Sequence, residues 1–374
     1  MMRREIVLLL LLSGCGSSLR TADGGADVTT LDVLDATSVS DANDVGADVA
    51  MSVESGADVP AITAPDETWT WIDVPGSHCA NGTPTGFGVN LTTRSNNVLI
   101  FLQGGGACWD AASCWGPVST SFYVATGYGR TEFDTDAIRV AMLPMRRADP
   151  TNPFKDMNLV YIPYCTGDVH AGDRVTTYNY NGTDHETWHV GLRNLQLYLS
   201  MLAATFPSTT RVWLSGDSAG GFGSALDFPV VQDAFPGARV DVLDDSGQPI
   251  DPDPVRWQQW RDAWNVHLPA DCPMCADHIG AFIDYYRGRY PGHRFGILSY
   301  TNDSVITTFM NLQPATFNTE LNALADHIDS SWPDGKYYFV PGLLHVLLTA
   351  PPLPVIDWIN AMIHDDPTWH SSRP

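Results

Sequence analysis

The sequence predicts an α/β protein with a mostly parallel central sheet and flanking helices, on three observations. Short apolar runs of strand length alternate with runs of helical period. Glycines cluster directly after two of those strands. Residues 66–374 are numerous enough for one large domain with a substantial core and cap-like insertions.

The elements before that domain are of another kind. Arg3 and Arg4 precede an apolar run that ends in Leu12-Ser13-Gly14-Cys15. The run is too short to span a bilayer. It has the form of a bacterial lipoprotein signal over residues 1–15, which implies export to the cell envelope and a lipid anchor to a membrane at Cys15. Residues 16–65 read as a disordered acidic linker. From Thr21 to Pro65 there is no Lys, Arg or aromatic residue, while Asp23, Asp27, Asp32, Asp35, Asp41, Asp44, Asp48, Glu54 and Asp58 supply negative charge. Such a segment cannot bury a core, and self-repulsion keeps it extended. The whole chain carries a formal charge of −23. That argues against nucleic acid as a partner and gives a polyanionic substrate no electrostatic steering.

Within the domain, an apolar strand over 97–102 runs into Gln103-Gly104-Gly105-Gly106-Ala107-Cys108. Glycine in such a loop lets backbone N–H groups turn toward a substrate, so Gly105, Gly106 and Ala219 are the expected oxyanion donors. No phosphate-loop pattern accompanies the glycines. A strand over 158–163, a helix over 190–206 and a strand over 211–215 follow. The last opens into Gly216-Asp217-Ser218-Ala219-Gly220-Gly221, the G-x-S-x-G elbow that exposes a nucleophilic serine at a strained strand-to-helix turn. A helix is expected over 221–231, then strands over 239–243, 294–300 and 336–340. Acyl transfer by this elbow needs an acid and a histidine later in the chain. Asp303 and His345 each lie just past a strand, at the carboxyl end where sites in open α/β sheets form. His345 would take the Ser218 proton and Asp303 would orient it; Asp244 and Asp245 are rival acids. This chemistry requires no cofactor.

Two other readings come from different classes. His185-Glu186-Thr187-Trp188-His189 is a literal H-E-x-x-H; on a helix, His185 and His189 would share a face and bind zinc, with Glu186 acting on the metal-bound water. No third ligand is evident nearby, since 190–216 contains no Glu, Asp or His. Alternatively, the insertions 108–156 and 249–291 carry Trp109, Trp115, Trp257, Trp260 and Trp264, which could stack on sugars in a non-catalytic glycan-binding surface protein or form a cap over a pocket.

Several separated motifs resemble one family. Leu102–Cys108 resembles the glycine loop of the pectin acetylesterase and Notum-like carboxylesterases, and His78-Cys79-Ala80-Asn81-Gly82-Thr83-Pro84 is similar to their N-terminal cysteine segment. Tyr161-Ile162-Pro163-Tyr164-Cys165-Thr166-Gly167-Asp168 resembles the segment before their long crossover, and Gly216–Gly221 their serine elbow. The resemblance implies an α/β-hydrolase fold, a triad carried onto Ser218, Asp303 and His345, and an ester substrate such as an acetylated pectin-like polysaccharide. Ala107 stands where relatives often have an aromatic residue. With Cys15 set aside, six cysteines remain, an even number that allows fifteen pairings. The resemblance implies Cys79–Cys165 and Cys108–Cys114, which leaves Cys272–Cys275. A monomer is expected.

Overall fold

The computed structural model describes residues 59–374. The signal, Cys15 and the linker up to residue 58 lie outside the described residues. Among the described residues ten strands form, and eight make one sheet: β1 (Thr70–His78), β2 (Pro84–Asn90), β3 (Val98–Leu102), β4 (Asn158–Ile162), β7 (Arg211–Asp217), β8 (Arg239–Asp245), β9 (Phe295–Tyr300) and β10 (Gly335–Val340). Their order is β1-β2-β4-β3-β7-β8-β9-β10. The two pairings at the β1 edge are antiparallel, and from β4 to β10 every neighbour is parallel. This is the α/β-hydrolase arrangement that the sequence predicts.

Every residue of β3 and β4 is buried, as expected for strands covered on both faces. Alternation then divides the core in two. Val98, Ile100 and Leu102 face the helix Gly191–Thr205 and the elbow helix. Leu99 and Phe101 face the C-terminal helix Leu353–Ile363. The helix expected over 221–231 begins at Ala219 and breaks at Asp227, where Pro229 opens a second short helix, Phe228–Ala234. A proline has no N–H to continue the first helix and fits the first turn of a new one.

The motif 185–189 is not helical. It lies on β6 (Thr183–His189), which pairs antiparallel with β5 (Arg174–Tyr180) in a separate hairpin. At about 3.4 Å of rise per strand residue, His185 and His189 stand more than 10 Å apart along the chain, too far to share one ion. The tryptophan reading is corrected as well. Trp257, Trp260 and Trp264 are buried; Trp260 and Trp264 stack at 5.3 Å, and the Trp264 indole N–H donates to the Cys108 carbonyl. Only half-buried Trp109 and Trp115 remain near the surface, the first under the Arg256 guanidinium and the second stacked on His185. These rings fill the insertions and present no row of aromatic faces to a glycan.

Residues 59–65, assigned from composition to the linker, reach the domain. Ile62 and Ala64 pack against the core, and the Ile62 N–H donates to the Thr205 hydroxyl. Among the described residues, no helix is long and apolar enough to cross a membrane.

All three expected disulfides are present. Cys79–Cys165 closes a separation of 86 residues and ties the turn after β1 to the end of β4, where the Ala80 N–H also donates to the Cys165 carbonyl. Loop closure on this scale stabilises a fold by about 2–5 kcal/mol. Paired replacement of Cys79 and Cys165 by alanine is therefore expected to lower unfolding stability by about that amount, read from the urea midpoint of tryptophan fluorescence.

Candidate active site

The elbow is built by steric necessity. Ser218 sits at φ 54°, ψ −118° between β7 and the helix Ala219–Leu226, a left-handed conformation that costs a non-glycine residue free energy and concentrates at functional turns. A Cβ on Gly216 would come within 2.2 Å of the Gly220 carbonyl oxygen, and one on Gly220 within 1.9 Å of the Leu102 oxygen. The two glycines thus let the turn close against itself and against β3.

The glycine loop is fixed from several sides. The Gln103 side chain donates to Asp136 at 3.1 Å and accepts from the Tyr164 N–H at 3.0 Å, and the Gly104 N–H donates to the Asp217 carboxylate at 3.0 Å. Gly106 has φ 81°, and a Cβ there would meet the Thr120 oxygen at 2.0 Å. With Gly104 engaged, the N–H groups of Gly105, Gly106 and Ala219 have no acceptor among the described residues.

Asp303 and His345 meet. One Asp303 carboxylate oxygen caps the helix Ser304–Phe309 by accepting from the Val305 and Ile306 N–H groups. The other lies 2.8 Å from His345 Nδ1. Burial opposes charging of the imidazole. The Asp303 bond and charge, together with the charges of Asp245 and Asp217, outweigh it, so the His345 pKa is raised above its ordinary value.

The rival acids have other tasks. Asp244 accepts from the Gly247 N–H at 2.8 Å, and burial raises its pKa well above the carboxylate range. Asp245 joins the two halves of the site. Its carbonyl accepts from the Ser218 N–H at 2.8 Å, and its carboxylate accepts from the Leu347 and Leu348 N–H groups at 3.1 and 2.7 Å. Those amides lie just past His345. Burial pushes the Asp245 pKa up to about 6, with its hydrogen bonds opposing. Burial likewise pushes Asp217 up to about 7, against its bond from Gly104.

Beside Ser218 is a narrow cavity walled by Val169, Phe222, Trp260, Ile306 and Phe309, with Gly106, Ala107 and Ala219 at its edge. Trp260 brings the second insertion over the site, as a cap would. Val169 is the residue that motif reading missed. It has φ 51° and is followed by His170 at φ 66°, rare for a β-branched residue. The Tyr164 hydroxyl accepts the Val169 N–H at 2.8 Å, and the Asp168 carboxylate accepts from the N–H groups of His170 and Gly191. Asp168 lies inside a motif that the sequence singled out, but a strained backbone leaves no trace in residue spacing.

Cys108, Cys114 and His189 bring three potential metal-ligating atoms within 4.8 Å. Both sulfurs are spent in a disulfide. His189 is buried, with Nδ1 on the Thr166 carbonyl and Nε2 on the Tyr178 hydroxyl, and burial pushes its pKa down to about 4. These residues do not fit a zinc site.

The family described as Pectinacetylesterase matches residues 67–269. Palmitoleoyl-protein carboxylesterase notum1a of Danio rerio is 27% identical over 183 residues, covering 46% of this chain and 34% of that protein. Palmitoleoyl-protein carboxylesterase NOTUM of Mus musculus is 27% identical over 220 residues, 57% of this chain and 40% of that protein. The match thus spans only about a third of the length of these curated relatives. The solved structure of the Wnt deacylase Notum from Drosophila superposes with a TM-score of 0.56 at 18% identity, over 78% of this chain and 88% of that one, a likeness of fold.

Asp245→Asn keeps the carbonyl that holds Ser218 but replaces one acceptor oxygen with a donor facing the Leu347 and Leu348 amides. Labelling of Ser218 by a fluorophosphonate is expected to slow by about 10- to 100-fold, the range for a misplaced reacting group, measured by intact-mass spectrometry on folded protein.

Proposed function

We propose that this chain, which belongs to the pectinacetylesterase family, is a serine carboxylesterase that works through an acyl-enzyme. Ser218 Oγ attacks the ester carbonyl carbon while His345 takes its proton. The carbonyl oxygen, now an anion, is held by the Gly105, Gly106 and Ala219 N–H groups. Collapse expels the alcohol, which receives the proton from His345, and water repeats the sequence to release the acid. Asp303 keeps His345 in the tautomer whose other nitrogen can face Ser218. The observation that carries the reading is the Asp303–His345 pair at 2.8 Å, bound through Asp245 to a left-handed Ser218.

The cavity beside Ser218 is narrow, closed in by Val169, Phe222, Trp260, Ile306 and Phe309, which favours acetyl or another short acyl group over a long chain. The acetylated polysaccharide suggested by the family name is one source of such an ester. Three disulfides support an oxidising compartment outside the cytoplasm. The lipoprotein anchor remains part of this proposal, as does a monomeric state.

Hydrolysis of p-nitrophenyl acetate, butyrate and octanoate by the full chain tests it. Activity should fall by about 10³-fold or more in Ser218→Ala, survive a chelator and decline toward octanoate. Activity that persists in Ser218→Ala sinks the mechanism.

The pH dependence follows from the sign of the His345 shift. The base must be neutral, and its pKa is raised above 6.5, so kcat/KM should rise with pH along a limb centred above that value. In Asp303→Asn the bond and charge are lost; the limb should move to lower pH while the plateau drops. A limb unmoved in that variant would show that another group sets it.

A further inference from the structure

We propose that the mouth of the Ser218 cavity docks onto an uncharged lipid–water interface, and that the ester reaching it is borne by a neutral amphiphile rather than by a charged polymer. The choice of ester rests on the esterase reading above; the docking does not.

Leu343 and Leu344, directly before His345, are 64% and 67% exposed. Ser304, next to Asp303, donates its N–H and hydroxyl to the Leu343 carbonyl, which pins this apolar pair beside the base. On the glycine-loop side, Phe122 is 55% exposed, its N–H donates to the Gly105 carbonyl at 2.8 Å, and Val118 on the same loop is 82% exposed. Scattered exposed leucines are ordinary; here the large exposed apolar side chains sit on the two loops bonded to Gly105 and to Ser304, on either side of the candidate site, and such a grouping marks an interaction surface.

Charge identifies the occupant. Residues 116–129, 304–319 and 341–356, which carry these side chains and the Ile306 and Phe309 walls, contain no Lys, Arg, Asp or Glu, in a chain that is 17% charged with a net charge of −23. On the Trp260 side, Arg256 donates to the Phe309 carbonyl and is balanced by Asp110 and Asp253 nearby, so a uronate polymer or an anionic membrane finds no cationic surplus at this rim, and the net charge repels both. A protein partner ordinarily meets a polar, charged rim. A zwitterionic lipid surface asks only for apolar side chains that enter the headgroup region. With the acyl group in the short cavity, the collar is left to embrace the alcohol side of the ester.

The test uses the full chain carrying Cys15→Ser, so that no acyl chain at that residue contributes. In a Ser218→Ala background, flotation with phosphatidylcholine vesicles is measured at about 50 and about 500 mM NaCl. An apolar contact is little screened by salt, so equal flotation is expected. Combined Val118→Ser, Leu343→Ser and Leu344→Ser should reduce it at least tenfold, and Leu343→Lys alone should act in the same direction with an unchanged near-ultraviolet circular dichroism spectrum. With Ser218 restored, hexadecyl acetate in the same vesicles should be cleaved faster than acetylated polygalacturonate. Absence of flotation, flotation that needs anionic lipid or is lost in salt, self-association through the collar in place of flotation, or preference for the polygalacturonate would each overturn the proposal. Failure of the esterase reading would appear separately, as a parent protein that floats but does not hydrolyse p-nitrophenyl acetate.

Discussion

Asp245 is the residue on which the site's geometry turns. At the end of a central parallel strand, it offers its carbonyl to the Ser218 elbow and its carboxylate to two amides of the loop after His345. Ser218 and His345 are 127 positions apart in the chain. A shared buried anchor ties their two loops together. Burying a carboxylate is costly unless hydrogen bonds compensate. Here three donors do so, and the residual cost appears as a pKa raised to about 6.

Backbone strain is distributed over the same region. Ser218, Val169 and His170 all lie at positive φ, and each is held by surrounding structure: Ser218 by glycines that admit a close turn, Val169 by the Tyr164 hydroxyl, His170 by Asp168. The Tyr164–His170 stretch also begins at the Cys79–Cys165 bridge. The covalent tie therefore stiffens the segment whose strained residue forms a wall of the cavity. Sheet, disulfide and cavity are consequently one mechanical unit on the β4 side.

Much of this was legible in the sequence, for reasons that can be named. Central strands buried on both faces read as continuous apolar runs, and the elbow and glycine loop need glycine at fixed positions, so both motifs survive as letters. Asp303 was reachable through chain order and its place after β9. The hairpin has its own signal, since Asn181-Gly182 between two strand-prone runs is a strong two-residue turn, and the pair has φ 51° and 84°. The H-E-x-x-H letters drew attention to spacing, and spacing of four is compatible with either a helix or a strand. The tryptophans were ambiguous because an aromatic residue in an insertion can face inward or outward, which only packing decides. The task of Asp245 left no local signal, since its partners lie 102 and 103 residues away.

The placement of apolar side chains on an otherwise acidic molecule also bears on colloidal behaviour. Copies at neutral pH carry the same large negative charge and repel one another before Leu343, Leu344, Phe122 and Val118 on facing molecules can meet. Protonation of surface carboxylates would weaken that long-range barrier and leave the short-range stickiness intact. The acidity thus holds these exposed apolar side chains on separate copies apart in a concentrated solution.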